Sequence, residues 1–178
     1  MITKEYLVNP THWFDLEGLV FAHHERYYLS IEKDKQYFVE LFNKNWKLKK
    51  AIVQSNGNKT YKETEINEET AKNLITTKSK VVNALNYNEF RLPLDAQGAD
   101  ARLNLYSGPL NHLMVLKVKF KNERDFYKFK EPDYCLCDIT DDPYFSQLSL
   151  SSKDYQNVQR HINRMYKGKI NPPDFYFE

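Results

Sequence analysis

Glycine is scarce in this chain: five residues out of 178 leave little material for a Gly-rich phosphate loop or a nucleophile elbow, and neither pattern occurs. Cysteine is scarcer still, with two residues, too few for a disulfide scaffold. Cys135 and Cys137 alternate with Leu136, so an extended segment would put both thiols on one face; two buried, reduced thiols are expected rather than a redox pair or half a metal site. No apolar run approaches the roughly 20 residues that span a bilayer, and the opening Met1-Ile2-Thr3-Lys4-Glu5 lacks a charged region followed by an apolar one. The expectation is a cytoplasmic protein with no membrane partner. An excess of one charge is also missing: 26 basic and 24 acidic residues give a formal net charge of +2, which leaves no long-range field for nucleic acid. Any basic site must be local.

What the chain does have is aromatic side chains, at 15%, within a composition that is 41% hydrophobic and 28% charged. That is a globular composition, and the length fits one domain spanning 1–178. Short segments with strand-like alternation dominate: residues 2–8, 27–31, 37–42, 46–53, 59–66, 87–94, 102–106 and 113–121. Gln54-Ser55-Asn56-Gly57-Asn58 separates the fourth from the fifth, and Asn-Gly supplies the positive φ angles of a hairpin turn. Helix signals are fewer. Asn67-Glu68-Glu69-Thr70 caps a stripe of Ala71, Leu74 and Ile75; Asn122-Glu123-Arg124-Asp125 opens a short helix that Pro132 limits; and Ser152 is a candidate cap for a C-terminal helix at about 152–167, ended near Gly168. Eight or so strands with hairpin spacing must hide their edges, and a barrel does so.

Read in order, these segments resemble the CYTH superfamily of triphosphate tunnel enzymes over about 150 residues. Lys4-Glu5-Tyr6-Leu7-Val8 stands where that family opens with Glu-x-Glu-x-Lys, and Glu25-Arg26-Tyr27-Tyr28-Leu29-Ser30 resembles its second strand. Trp46-Lys47-Leu48-Lys49-Lys50 resembles the strand carrying its Lys, and Tyr61-Lys62-Glu63-Thr64-Glu65-Ile66 its basic-x-Glu-x-Glu strand, with Phe90-Arg91-Leu92-Pro93-Leu94 at its Lys-Thr-Arg segment. Leu105-Tyr106-Ser107-Gly108-Pro109-Leu110, Lys117-Val118-Lys119-Phe120, Phe129-Lys130-Glu131-Pro132 and Asp138-Ile139-Thr140-Asp141-Asp142-Pro143-Tyr144-Phe145 follow the family's C-terminal motifs. The resemblance implies an α+β fold: an antiparallel eight-stranded β-barrel, or tunnel, with a few peripheral helices. In that family basic side chains grip a triphosphate and glutamates hold a divalent metal.

The departures shape the functional expectation. The family's opening glutamates fall on Met1 and Thr3 and its lysine on Glu5; the late pair of glutamates becomes Lys117 and Lys119, which cannot hold a metal while protonated. Basic positions fall on Glu40, Tyr87 and Glu89, and the aspartate of the turn strand on Asn104, while Lys49, Glu63 and Glu65 remain. The expected function is therefore a divergent tunnel protein, non-catalytic or weakly catalytic, that binds a small anionic ligand such as a nucleotide, polyphosphate or phosphate. Its ligand-binding residues are Lys49, Arg91, Lys117 and Lys119; its tunnel acids are Glu5, Glu40, Glu63, Glu65 and Glu89; no catalytic residue and no cofactor is assigned. Two alternatives stay open. One is an active triphosphatase or adenylate cyclase with Mg or Mn on Glu63 and Glu65. The other is an interaction protein whose tunnel neutralises itself and whose protein partner is unspecified. His23-His24 is expected at the surface, and His12, His112 and His161 show no metal-ligand spacing.

Overall fold

The structure, a computed structural model, describes residues 2–55, 59–78, 84–93 and 99–169. Nine strands and four α-helices lie within them: β1 Ile2–Val8, β2 Phe21–Ile31, β3 Lys35–Phe42, β4 Asn45–Val53, β5 Lys59–Glu65, α1 Glu68–Lys78, β6 Ala84–Leu92, β7 Ala99–Tyr106, β8 Met114–Phe120, α2 Glu123–Lys128, β9 Cys135–Asp138, α3 Gln147–Leu150 and α4 Tyr155–Met165. They form two compact units, a mid-chain unit of Ala22–Tyr87 and a terminal unit built from Met1–Phe21 with Asn88–Glu178.

In the mid-chain unit the strands lie in the order β5-β4-β3-β2, all antiparallel, with the start of β6 beside β2. The hairpin expected around Asn56-Gly57 has its strands paired from Val53 opposite Lys59 to Lys47 opposite Glu65, although the turn itself lies outside the described residues. Helix α1 starts as anticipated, with Asn67 Oδ1 accepting from the Thr70 amide at 2.8 Å and two acids in its first turn. It packs on β3 and β4, where Val39 and Ala71 are fully buried.

In the terminal unit the order is β6-β7-β8-β1-β9, and β8 pairs antiparallel with both β7 and β1, as β1 does with β9. The period-two pattern separates two faces. Tyr6, Val8, Ala101, Leu103, Leu116, Val118 and Phe120 form the apolar one, sealed by Phe126 and Phe129 on and after α2, whose rings lie 5.6 and 5.2 Å from that of Phe120. Burying a ring such as Phe120 contributes about 1.5–3 kcal/mol. The opposite face carries Thr3, Glu5, Asp100, Arg102, Lys117 and Lys119.

Two expectations need correcting. There are nine strands rather than eight: the cysteine segment, read only as extended, adds β9 against β1, fixed by the Ile139 amide on the Glu5 carbonyl at 2.8 Å. Helix α4 is capped by Asp154, not Ser152; Asp154 and Asn157 bond each other's amides in a reciprocal box, which satisfies two otherwise orphaned donors. At Gly108 the turn before β8 runs at φ 65°, and a Cβ there would meet nothing within 4 Å, so backbone conformation alone favours glycine. Neither Met1, Leu94 nor the Asn171-Pro172-Pro173-Asp174 tail falls within the described residues.

Candidate functional site

The mid-chain unit gathers an array of paired charges on one face of β2–β5. Register sets Arg26 opposite Glu40, Glu40 opposite Lys47 and Lys47 opposite Glu65, with Lys49 opposite Glu63 in a neighbouring row. Directly opposed and diagonal side chains are within reach of one another in such a ladder. Arg26 Nη2 lies 2.5 Å from Glu40 Oε1, Lys49 pairs with Glu40 Oε2 and lies 3.4 Å from Glu63 Oε2, and Lys47 Nζ stands 2.6 Å from Glu63 Oε1. The Arg26 guanidinium also sits over the Phe38 ring at 4.6 Å.

Glu40 is the centre of this array and only 2% exposed. Burial alone would raise its pKa, but His24, Arg26 and Lys49 around it hold the carboxyl well below the usual carboxylate range. A buried carboxylate requires such partners. Lys47 first, then Lys49, keep the Glu63 carboxyl low as well. His24 departs from the surface position expected of it: its side chain is 12% exposed, stacked on Tyr87 at 4.6 Å and 3.8 Å from Glu40, while His23 pairs with Glu25 at 3.0 Å.

The terminal unit repeats the theme with a different balance. Lys117 stands opposite Glu5 on one side and Arg102 on the other; Lys119 stands between Thr3 and Asp100. Lys117 Nζ bonds Glu5 Oε1 at 2.5 Å, and Arg102 divides itself between Glu89 at 2.6 Å and Asp100 at 3.1 Å. Arg91, 72% exposed, reaches Asp100 only at 3.6 Å. Among the described residues Lys119 has no ion pair, and the Oδ1 atom of Asp100 is buried without a hydrogen bond. On this face four cations (Arg91, Arg102, Lys117, Lys119) meet three carboxylates (Glu5, Glu89, Asp100) among the described residues.

The residues singled out from sequence thus fall into two groups. Lys49, Glu40, Glu63 and Glu65 share the mid-chain face; Arg91, Lys117, Lys119, Glu5 and Glu89 belong to the terminal one. Arg26, Lys47, Asp100 and Arg102 were not singled out, although strand alternation with Ala101 and Leu103 could have put the last two on the polar face. Lys117 and Lys119 offer no metal ligand while protonated, Glu63 pairs with Lys47 and Lys49, and among the described residues no three His, Cys, Asp or Glu side chains gather to hold a metal.

A third polar cluster was not visible from spacing. His161 Nε2 lies 2.7 Å from Asp142 Oδ2, which also accepts from the Tyr166 hydroxyl at 2.8 Å, and the His161 ring stacks on Tyr144 at 3.7 Å. Burial works to raise the Asp142 pKa, but bonds from His161, the Tyr144 amide and Tyr166 hold it below the ordinary value. Cys135 and Cys137 are free thiols, both pushed up to about 12, chiefly by burial, and so unreactive as thiolates.

These observations define a largely antiparallel α+β protein with charge-lined strand faces. Two crystal structures of the protein NE1496 match its fold. One, solved as a hypothetical protein, superposes with a TM-score of 0.69 at 18% identity over 86% of this chain and 98% of its own. The other, solved as the inorganic triphosphatase NE1496, gives 0.69 at 18% identity over 85% and 94%. The chain shares the fold of NE1496 over most of its length. No protein-family model and no curated protein sequence matches it. No helix among the described residues is long and apolar enough to cross a membrane.

Proposed function

We propose that this chain is a CYTH-like protein that binds a small, multiply charged anion of the phosphate, polyphosphate or nucleotide class on the polar face of its terminal unit, without metal-dependent turnover. The observation that carries the reading is Lys119: a cation beside Lys117, at positions where the resembled family has carboxylates, with no ion pair among the described residues although Asp100 stands opposite it. An ammonium neutralises a phosphoryl oxygen as a point charge, and Lys117 and Arg91, each paired with a solvent-accessible carboxylate, can turn to the same ligand. Lys49 belongs to the other unit and is held by both Glu40 and Glu63, so it is not assigned to this ligand. That NE1496 is an inorganic triphosphatase agrees with the ligand class.

The test is a thermal melt across a phosphate and inorganic triphosphate series without added metal. Saturable, salt-sensitive stabilisation is expected, lost in Lys117→Glu with Lys119→Glu. Indifference of the wild type to every anion would sink the proposal, and full persistence of the shift in the double variant would place the anion elsewhere.

A second reading, a self-neutralised interaction scaffold, is favoured by the closed pairing of Lys49 with Glu40 and Glu63. It predicts no anion effect and a double variant destabilised by crowding acids together. Against the enzyme alternative, the proposed reading expects hydrolysis of ATP, thiamine triphosphate and inorganic triphosphate with Mg²⁺ or Mn²⁺ to be absent or very slow. Robust turnover abolished by Glu63→Gln or Glu65→Gln would establish it instead.

A further inference from the structure

Helix α4 borders two recesses of opposite character. One is lined by Asp138, Asp141 and Asp142 with Met165, Tyr166 and Lys169. The other, of about 430 Å³, is lined by Tyr144, Lys153, Asn157, Arg160, His161 and Arg164, and no carboxylate takes part. Arg160 and His161 lie three and four residues after Asn157, and Arg164 lies four and three after those two, so a single stripe of the helix supplies most of the wall.

Among the described residues no acid forms an ion pair with the three cations of this recess. Lys153 donates to the carbonyl and hydroxyl oxygens of Ser149 at 2.8 and 2.6 Å, both uncharged, and burial lowers its pKa. Arg160 Nε makes a long bond to the Gln156 carbonyl at 3.4 Å, and Arg164 has no partner among the described residues. The two nearby acids are committed elsewhere: Asp154 caps α4, and Asp142 is held by His161, Tyr166 and the Tyr144 amide while facing the acidic recess. In a chain whose total charge is +2, three cations around one concavity without an acid is a local excess that an anion would relieve.

We infer that this recess is a second anion site, separate from the strand face discussed above, and that it takes a small free phosphoryl anion. Two guanidinium forks one helical turn apart match the oxygens of phosphate or a short polyphosphate, with the Lys153 ammonium and the Asn157 amide as further donors. A nucleobase is disfavoured, because the Tyr144 ring is already stacked on His161 at 3.7 Å and has the Lys153 ammonium 4.6 Å from its centroid. The volume suits a small ligand.

The experiment is an amide and arginine-Nε NMR titration of the whole chain with inorganic phosphate and inorganic triphosphate at constant ionic strength. Saturable shifts at 153–164 are expected in the wild type and also in Lys117→Glu with Lys119→Glu, which separates this site from the strand face. Arg160→Gln with Arg164→Gln should keep the spectrum folded and weaken those shifts by about tenfold or more. Absence of saturable shifts at 153–164 in the wild type would overturn the inference, as would shifts unchanged by the double glutamine variant. A phosphoserine peptide that binds there where both free anions fail would overturn the small-molecule assignment.

Discussion

The two charged faces use the same residue types and reach opposite outcomes. In the mid-chain unit a carboxylate is driven inside, Glu40 at 2% exposure, and cations converge on it from both neighbouring strands. In the terminal unit the pairs are partly in water, with Glu5 and Lys117 side chains 25% and 35% exposed, and among the described residues Lys119 has no ion pair. A buried charge dictates its surroundings because an unmet partner costs several kcal/mol there, whereas an exposed pair contributes little and leaves its members free to exchange partners. The first arrangement is locked by burial; the second is the one that the proposed function assigns to a ligand.

The largest effect should follow from emptying the centre of the first array. Glu40→Ala leaves Arg26 and Lys49 facing each other without their acid and should cost about 3–5 kcal/mol in denaturant unfolding. The same truncation at Glu5 should cost about 1 kcal/mol or less, and equal losses at the two sites would erase the contrast.

A pH series sharpens it. Because the folded Glu40 carboxyl titrates below its ordinary 4.5, its stabilisation is present above that value and is lost as pH falls through the folded one. The stability gap between wild type and Glu40→Gln should therefore be widest near neutrality and narrow only below about pH 4.5. A gap that widened in acid would show that the cations do not hold this carboxylate.

The helix cap gives a smaller, independent test. Asp154→Ala should lower stability by about 1 kcal/mol, and Ser152→Ala should stay within about 0.5 kcal/mol. At the exposed rim, Lys47→Ala should also change stability by no more than about 0.5 kcal/mol, since Glu63 keeps Lys49 nearby. A larger loss would mean that the rim belongs to the buried network.

Much of the frame was readable because it rests on local rules. Alternation placed Lys117 and Lys119 on one side of β8, and Asn67 and Asn122 announced their helices through caps that the structure contains. What alternation does not carry is register across strands. That Glu40 would sit between Arg26 and Lys47, or that Lys119 would face Thr3 and Asp100, depends on pairings that one strand's pattern cannot specify. The Asp142, His161 and Tyr166 cluster was hidden for the same reason. Its members are 19 and 24 residues apart, and only the packing of α4 unites them.

Strand β5 carries a consequence of another kind. Every one of its residues is exposed, and among the described residues it pairs with β4 alone. Such an edge offers open backbone donors and acceptors to any extended chain that meets it, the usual route to strand-by-strand aggregation. Its sequence, Lys59-Thr60-Tyr61-Lys62-Glu63-Thr64-Glu65, sets charges along most of that length. Those charges deter a like strand from docking, so the residues that close the ion-pair array on one side also protect the protein's solubility on the other.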